Sequence, residues 1–270
     1  MKEAQTLEKR FAQRKTQYLC ERFEKSPNIT KERSITDYLS ICYSDQDASI
    51  IPTLCDLFFQ MYMFVKKWFD YQGDITIQLW IAPTVEDLQF MTCMPCSEGY
   101  ACAPGKIYGA HIILIDSPLL GGKNSNEKRL SAVLAHEICH HFVTKISRST
   151  LFTMKRKENL DVPMWLEEGL GIVIMTEVNP GLQKIFEERI AQTTKWYFLD
   201  EIRNDLSDCK DSNRAYLQAY NETKKLIKHR GKSDLIHLLY LNRIYHINWN
   251  DLPFGGKLSA NARYGNTIDS

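Results

Sequence analysis

Apolar and polar residues alternate along the chain with two different periods, and the changes of period mark the elements. From about Asp47 to Phe69 the apolar positions have helical spacing, which predicts one long helix. Asp74-Ile-Thr-Ile-Gln-Leu-Trp-Ile81 alternates polar with apolar residues, the pattern of a half-buried strand. Strands are also predicted over Ile35 to Tyr43 and His111 to Asp116, and Thr84 is placed to cap a short helix beginning Val85-Glu86-Asp87. Gly121-Gly122 closes the strand region, and Asn124 or Ser125 then offers a cap for a long helix running through Ile146. After a polar interval from Ser147 to Asp161, Pro163 opens another helix, where its missing N–H costs nothing. Beyond Pro180 the pattern is largely helical to about Arg243.

The two ends and one internal stretch read differently. Residues 2–25 space Leu7, Phe11, Tyr18 and Phe23 loosely on one helix face, residues 92–106 are rich in turn formers, and the chain past Asn248 has few apolar residues. The resulting division is an N-terminal helical extension (1–34), an α+β lobe (35–180), a helical lobe (181–247) and a tail (248–270).

Composition narrows the class without naming a chemistry. The 270 residues are 44% hydrophobic and 25% charged with a net charge of +1, an ordinary globular balance with no bulk attraction for nucleic acid or anionic lipid. Lysines and arginines concentrate between Lys2 and Arg33, but the glutamates among them make a solvated helix face the first reading and a nucleic-acid arm the alternative. Met1 to Arg10 has no apolar core of a secretion signal, and no run approaches the roughly 20 apolar residues of a membrane span, so a cytoplasmic protein without membrane partners is expected. Eight cysteines are then expected to be reduced; Cys42, Cys55 and Cys139 lie in apolar runs as small core residues, while Cys93, Cys96 and Cys102 offer a second metal site or a disulfide only weakly, for want of a matching pair.

The chemistry-bearing motif is His136-Glu137-Ile138-Cys139-His140 on the long predicted helix. Histidines four apart stand on one face about one turn from each other, so both imidazoles can reach one tetrahedral ion. Glu137 lies beside that ion without binding it and is placed to take a proton from a water that the ion has made acidic. The small and apolar run Ser131-Ala-Val-Leu-Ala135 argues that the helix is buried, where imidazoles and a carboxylate without a metal would be costly. Two histidines leave a third protein ligand to find, and the adjacent Glu167 and Glu168 in Val162-Pro-Met-Trp-Leu-Glu-Glu-Gly-Leu-Gly171 are the candidates; periodicity does not choose between them. His141 reads first as a buried structural histidine and second as a support for the site, and His229, His237 and His246 are isolated.

Together the two segments resemble the peptidase MA-like gluzincins, relatives of thermolysin and of the aminopeptidase N group. Those proteins pair H-E-x-x-H with a downstream Trp-Leu-x-Glu-Gly, and Trp165-Leu166-Glu167-Glu168-Gly169 matches it, which selects Glu168 as third ligand. The resemblance covers about residues 35–245 and implies a thermolysin-like α+β zincin, with a mixed sheet and active-site helix in the N-terminal part and a helical C-terminal part. It implies one catalytic zinc ion (Zn2+), a peptide or protein substrate, and a tyrosine that steadies the oxyanion. Tyr216 occupies the matching place in Ala215-Tyr-Leu-Gln-Ala-Tyr220, with Tyr220 in reserve. An edge strand, expected at His111 to Asp116, would pair with an extended substrate.

Three departures limit what carries over. The His140–Glu168 interval is longer than in the aminopeptidase N group, which suggests an inserted loop at 147–161. The Gly-Ala-Met-Glu-Asn element for a free amino terminus is absent, with Gly109-Ala110-His111 only hinting at it. Ile172 stands where a thermolysin-type acid would support the metal ligands. The reading is a zinc metallopeptidase; the rivals are a catalytically silent zinc protein that binds peptides and a protease tethered to nucleic acid by residues 2–33.

Overall fold

The computed structural model describes residues 25–92, 101–107, 110–121, 127–147, 162–203 and 209–245, with single positions 206, 247 and 249. Within them the chain is α+β, a small mixed sheet with helices between its strands and further helices after it. It divides into two compact units, Met1–Phe142 and Val143–Ser270.

In the first unit, β1 (Lys31–Ser34), β2 (Leu39–Tyr43), β3 (Ile77–Ala82), β4 (Ala101–Ile107) and β5 (Ala110–Asp116) form a sheet in the order β1-β2-β3-β5-β4. β3 runs parallel to both β2 and β5, while β1 and β4 are antiparallel additions at the edges. Five of the six β3 residues are buried, so this strand is covered on both faces rather than half-buried as its alternation suggests; interior parallel strands are normally covered twice. The strand predicted over Ile35 to Tyr43 is in fact a hairpin end. The Thr36 hydroxyl accepts the N–H groups of Tyr38 and Leu39 and turns the chain, so only Leu39–Tyr43 enters the sheet interior. The expectation that His111 to Asp116 is an edge strand is overturned: β5 is flanked by β3 and β4. The segment read as turn-rich supplies the true edge, β4, which tolerates Pro104 and a register shift between Cys102 and Gly105 because edge strands have no second neighbour to satisfy.

Helix α1 (Ile51–Trp68) buries Ile51, Leu54, Cys55, Phe58, Tyr62 and Val65, the helical stripe its spacing predicts. It ends where Asp70 takes φ 49°, a left-handed stop that aspartate tolerates better than most residues. Helix α2 (Val85–Thr92) starts as predicted: the Thr84 hydroxyl accepts the Asp87 N–H and donates to the Asp87 carboxylate. A short α3 (Ser117–Gly121) leads toward α4 (Glu127–Ser147), the helix that carries the motif. Phe142 near its end stacks on Phe69 with centroids 5.9 Å apart and meets Tyr62 at 5.5 Å and Tyr71 at 5.6 Å, which fixes α4 by aromatic packing within this unit.

The second unit contains α5 (Met164–Val178), α6 (Pro180–Gln192), α7 (Ser212–Arg230) and α8 (Lys232–Tyr245). Helix α5 is buried almost all round, as its apolar composition requires. It approaches α7 so closely at Gly169 that a Cβ there would overlap the Thr223 hydroxyl and the Ala219 carbonyl oxygen. The helical pattern expected from Pro180 to Arg243 is interrupted: α6 stops at Gln192 and α7 begins only at Ser212, where Asp211 caps it by accepting the Arg214 N–H. Helix α7 ends at Gly231, whose φ of 87° suits glycine. Among the described residues no helix is long and apolar enough to cross a membrane. The predicted N-terminal helix, the side-chain cluster of Cys93, Cys96 and Cys102, the 148–161 loop and most of the 248–270 tail lie outside the described residues or side chains.

Candidate metal centre

Two residue pairs on α4 separate because successive residues in a helix are rotated by about 100°. His136 and His140 share one face and are half-buried; Glu137 and His141 share the next and are buried, at 7% and 1% exposure. The His136 and His140 rings stand 4.9 Å apart at 74°, and their Nε2 atoms are 3.2 Å from each other. Two nitrogens held about 2.0–2.1 Å from one tetrahedral ion lie about 3.3 Å apart, so the rings stand close to the separation that shared coordination demands. The same distance suits a hydrogen bond in which one ring donates and the other accepts, the arrangement open to the pair without a metal.

A third donor joins them. Ligand atoms of His136, His140 and the half-buried Glu168 all lie within 4.8 Å of one another, and among the described residues this is the one group of three or more histidine, cysteine, aspartate or glutamate side chains able to hold a metal ion. A neutral imidazole pair with one carboxylate is a borderline donor set suited to zinc, with a fourth position left over.

His141 faces the sheet. Its Nε2 is 2.9 Å from the Ile112 carbonyl oxygen, to which it donates, and its Nδ1 is 3.1 Å from His111 Nδ1, a contact in which one ring donates and the other accepts. The pair pins α4 to β5 within the first unit and sets which face of the helix presents His136 and His140. Sequence reading placed His141 as structural but missed His111 as its partner; the only signal was a histidine opening a strand that is otherwise apolar from Ile112 to Ile115.

The tyrosines divide. Tyr216 is half-buried in the second turn of α7. Tyr220 is 1% exposed; its ring packs 5.0 Å from Phe186 of α6 and lies beneath the Lys224 ammonium, which makes it a packing residue. Cys42, Cys55 and Cys139 are buried, and burial, with a smaller push from Glu32, raises Cys42 to about 11. At neutral pH that thiol is protonated and unsuited to metal binding or nucleophilic work.

Comparison with known proteins gave no matching family model and no matching curated sequence.

Proposed function

We propose that this chain is a zinc-dependent peptidase of thermolysin-like architecture, with His136, His140 and Glu168 as metal ligands and Glu137 as general base. The observation that carries the reading is the gathering of two helical imidazoles and one carboxylate around a common point, next to a buried glutamate that the ligand set does not use. A bound zinc ion supplies Lewis acidity, polarising a carbonyl and bringing the pKa of water to about 7.

The chain's own residues do the rest. His136 and His140, four apart, present ring nitrogens from one helix face, and Glu168 adds a carboxylate oxygen. Glu137 takes the proton released by the attacking water and returns it to the departing amine, which leaves as a neutral group. Tyr216 donates a hydrogen bond to the developing oxyanion. An extended peptide adds to the open side of β4, whose backbone groups bind without regard to side-chain sequence. The partner is accordingly a peptide or protein.

Replacing Glu137 with Gln tests the mechanism. It keeps the shape and the ligands and removes the base, so zinc stays bound while kcat/KM on a peptide library falls at least about 100-fold. Undiminished turnover rejects the assignment.

A further inference from the structure

Residues 197–203, which lie between α6 and α7, are fastened to α7 at Tyr197 and to α5 at Arg203. Gln218, buried in α7 at 3% exposure, spends both ends of its side-chain amide on one residue: its Nε2 donates to the Tyr197 carbonyl at 2.7 Å and its Oε1 accepts the Tyr197 N–H at 2.8 Å. Tyr197 is held by its side chain as well. Its hydroxyl accepts the Asp211 N–H at 3.0 Å and an Arg214 Nη2 hydrogen at 2.9 Å, and the Arg214 guanidinium sits 4.5 Å from its ring centre.

From this anchor the chain turns through Phe198–Glu201, closed by Glu201 N–H to Phe198 O at 2.9 Å and by the Glu201 carboxylate on the Phe198 N–H at 2.6 Å. It buries Ile202 completely and ends with the Arg203 carbonyl accepting the Met164 N–H at 2.7 Å. Met164 is the first residue of α5, and its N-cap, Pro163, has no side-chain acceptor to offer. The Arg203 carbonyl therefore replaces the missing cap. Glu168 lies four residues further along the same helix, about one turn away.

We propose that residues 197–203, clamped by Gln218, form a strut that fixes the start of α5 against α7 and so positions Glu168 for metal binding. Gln218 and Tyr197 act as positioning residues, and the inference rests on the metal-site reading above. A carboxylate ligand contributes only when its oxygen falls within a few tenths of an ångström of the bonding distance, so a helix start released from its cap weakens the site without removing a donor.

The test uses the full chain, with zinc affinity measured by competition with a chromophoric chelator and the cobalt(II)-substituted spectrum recorded alongside. Gln218→Met keeps length and bulk and deletes both clamp bonds. It should weaken zinc about tenfold and shift the cobalt spectrum toward that of Glu168→Ala. Leu226→Val, a core change on α7 away from the clamp, lowers stability but should leave affinity of the folded protein within about twofold. A folded Gln218→Met protein with wild-type affinity and spectrum overturns the strut. Should Gln218→Met fail to fold, Tyr197→Phe decides, because it removes only the hydroxyl bonds: weaker zinc supports the strut and unchanged zinc overturns it. A wild-type chain that binds no zinc overturns both readings and is told apart by the first titration.

Discussion

Gly169→Ala is expected to destabilise the second unit and to weaken metal binding, against the usual effect of alanine in a helix. At an unconstrained helix position the change stabilises by about 1 kcal/mol, because alanine gives up less backbone entropy. Here the added Cβ overlaps the Thr223 hydroxyl and the Ala219 carbonyl oxygen and stands 2.9 Å from the Ala219 carbonyl carbon. Favourable carbon–carbon contact begins at about 3.5 Å, so α5 must withdraw from α7 by roughly 0.6 Å or more. Thr223 relieves only part of the clash, since its β-branched side chain has few rotamers in a helix and the Ala219 oxygen is main chain. Overpacking of this kind costs about 1–3 kcal/mol, which exceeds or cancels the propensity gain and leaves a net loss of up to about 2 kcal/mol. Glu168 precedes the changed residue and moves with it, so zinc affinity falls at least about tenfold. Urea unfolding and chelator competition read the two effects separately. Adding Thr223→Ala should restore less than half of the lost stability, because the backbone contact remains. A Gly169→Ala protein that is more stable than the parent and binds zinc equally well refutes the close-approach argument.

Two further outcomes follow from named contacts. Burial opposes the charge of Asp87, yet hydrogen bonds from Ser26, Asn28 and Thr84 outweigh it and hold the carboxyl below its usual range. A depressed folded-state pKa stabilises above the unfolded value of about 3.9 and is lost as pH falls through the folded value. Asp87→Asn should therefore lower the urea midpoint at pH 7 and converge with the parent in acid; an equal gap at both pH values contradicts the role given to the charge. The tyrosines should separate by substitution to Phe: Tyr216→Phe lowers kcat about 100-fold with zinc retained. Tyr220→Phe changes stability by less than about 1 kcal/mol and spares turnover, because its ring packing survives and Lys224 keeps Glu187 at 2.9 Å. Equal kinetic losses in both variants contradict the assignment of Tyr216.

The elements most legible in sequence were those with a single-period apolar stripe or a strong cap: α1, α2 with Thr84, α4 and α5. The edge strands were not, for opposite reasons. β1 is exposed along its length and has no apolar pattern to read, and β4 carries Pro104 and Gly105, residues that mark turns unless a partner strand is already known. Missing β4 made β5 look like an edge. The break between α6 and α7 was hidden because it depends on a buried Gln218 amide meeting the Tyr197 backbone, 21 positions away. At the site, spacing alone aimed His136 and His140 together, since helix geometry is local. The choice between Glu167 and Glu168 needed the resemblance, as neighbouring residues on one helix differ only in the direction they face.

The central claim is one shared ion. X-ray absorption at the metal edge, on protein purified without added metal and quantified for metal content, tests it most directly. The account predicts one equivalent of zinc with two imidazole nitrogens at about 2.0–2.1 Å and oxygen donors completing the shell, one of them lost in Glu168→Ala. A chain without stoichiometric metal, or a zinc shell with no imidazole in it, contradicts the account.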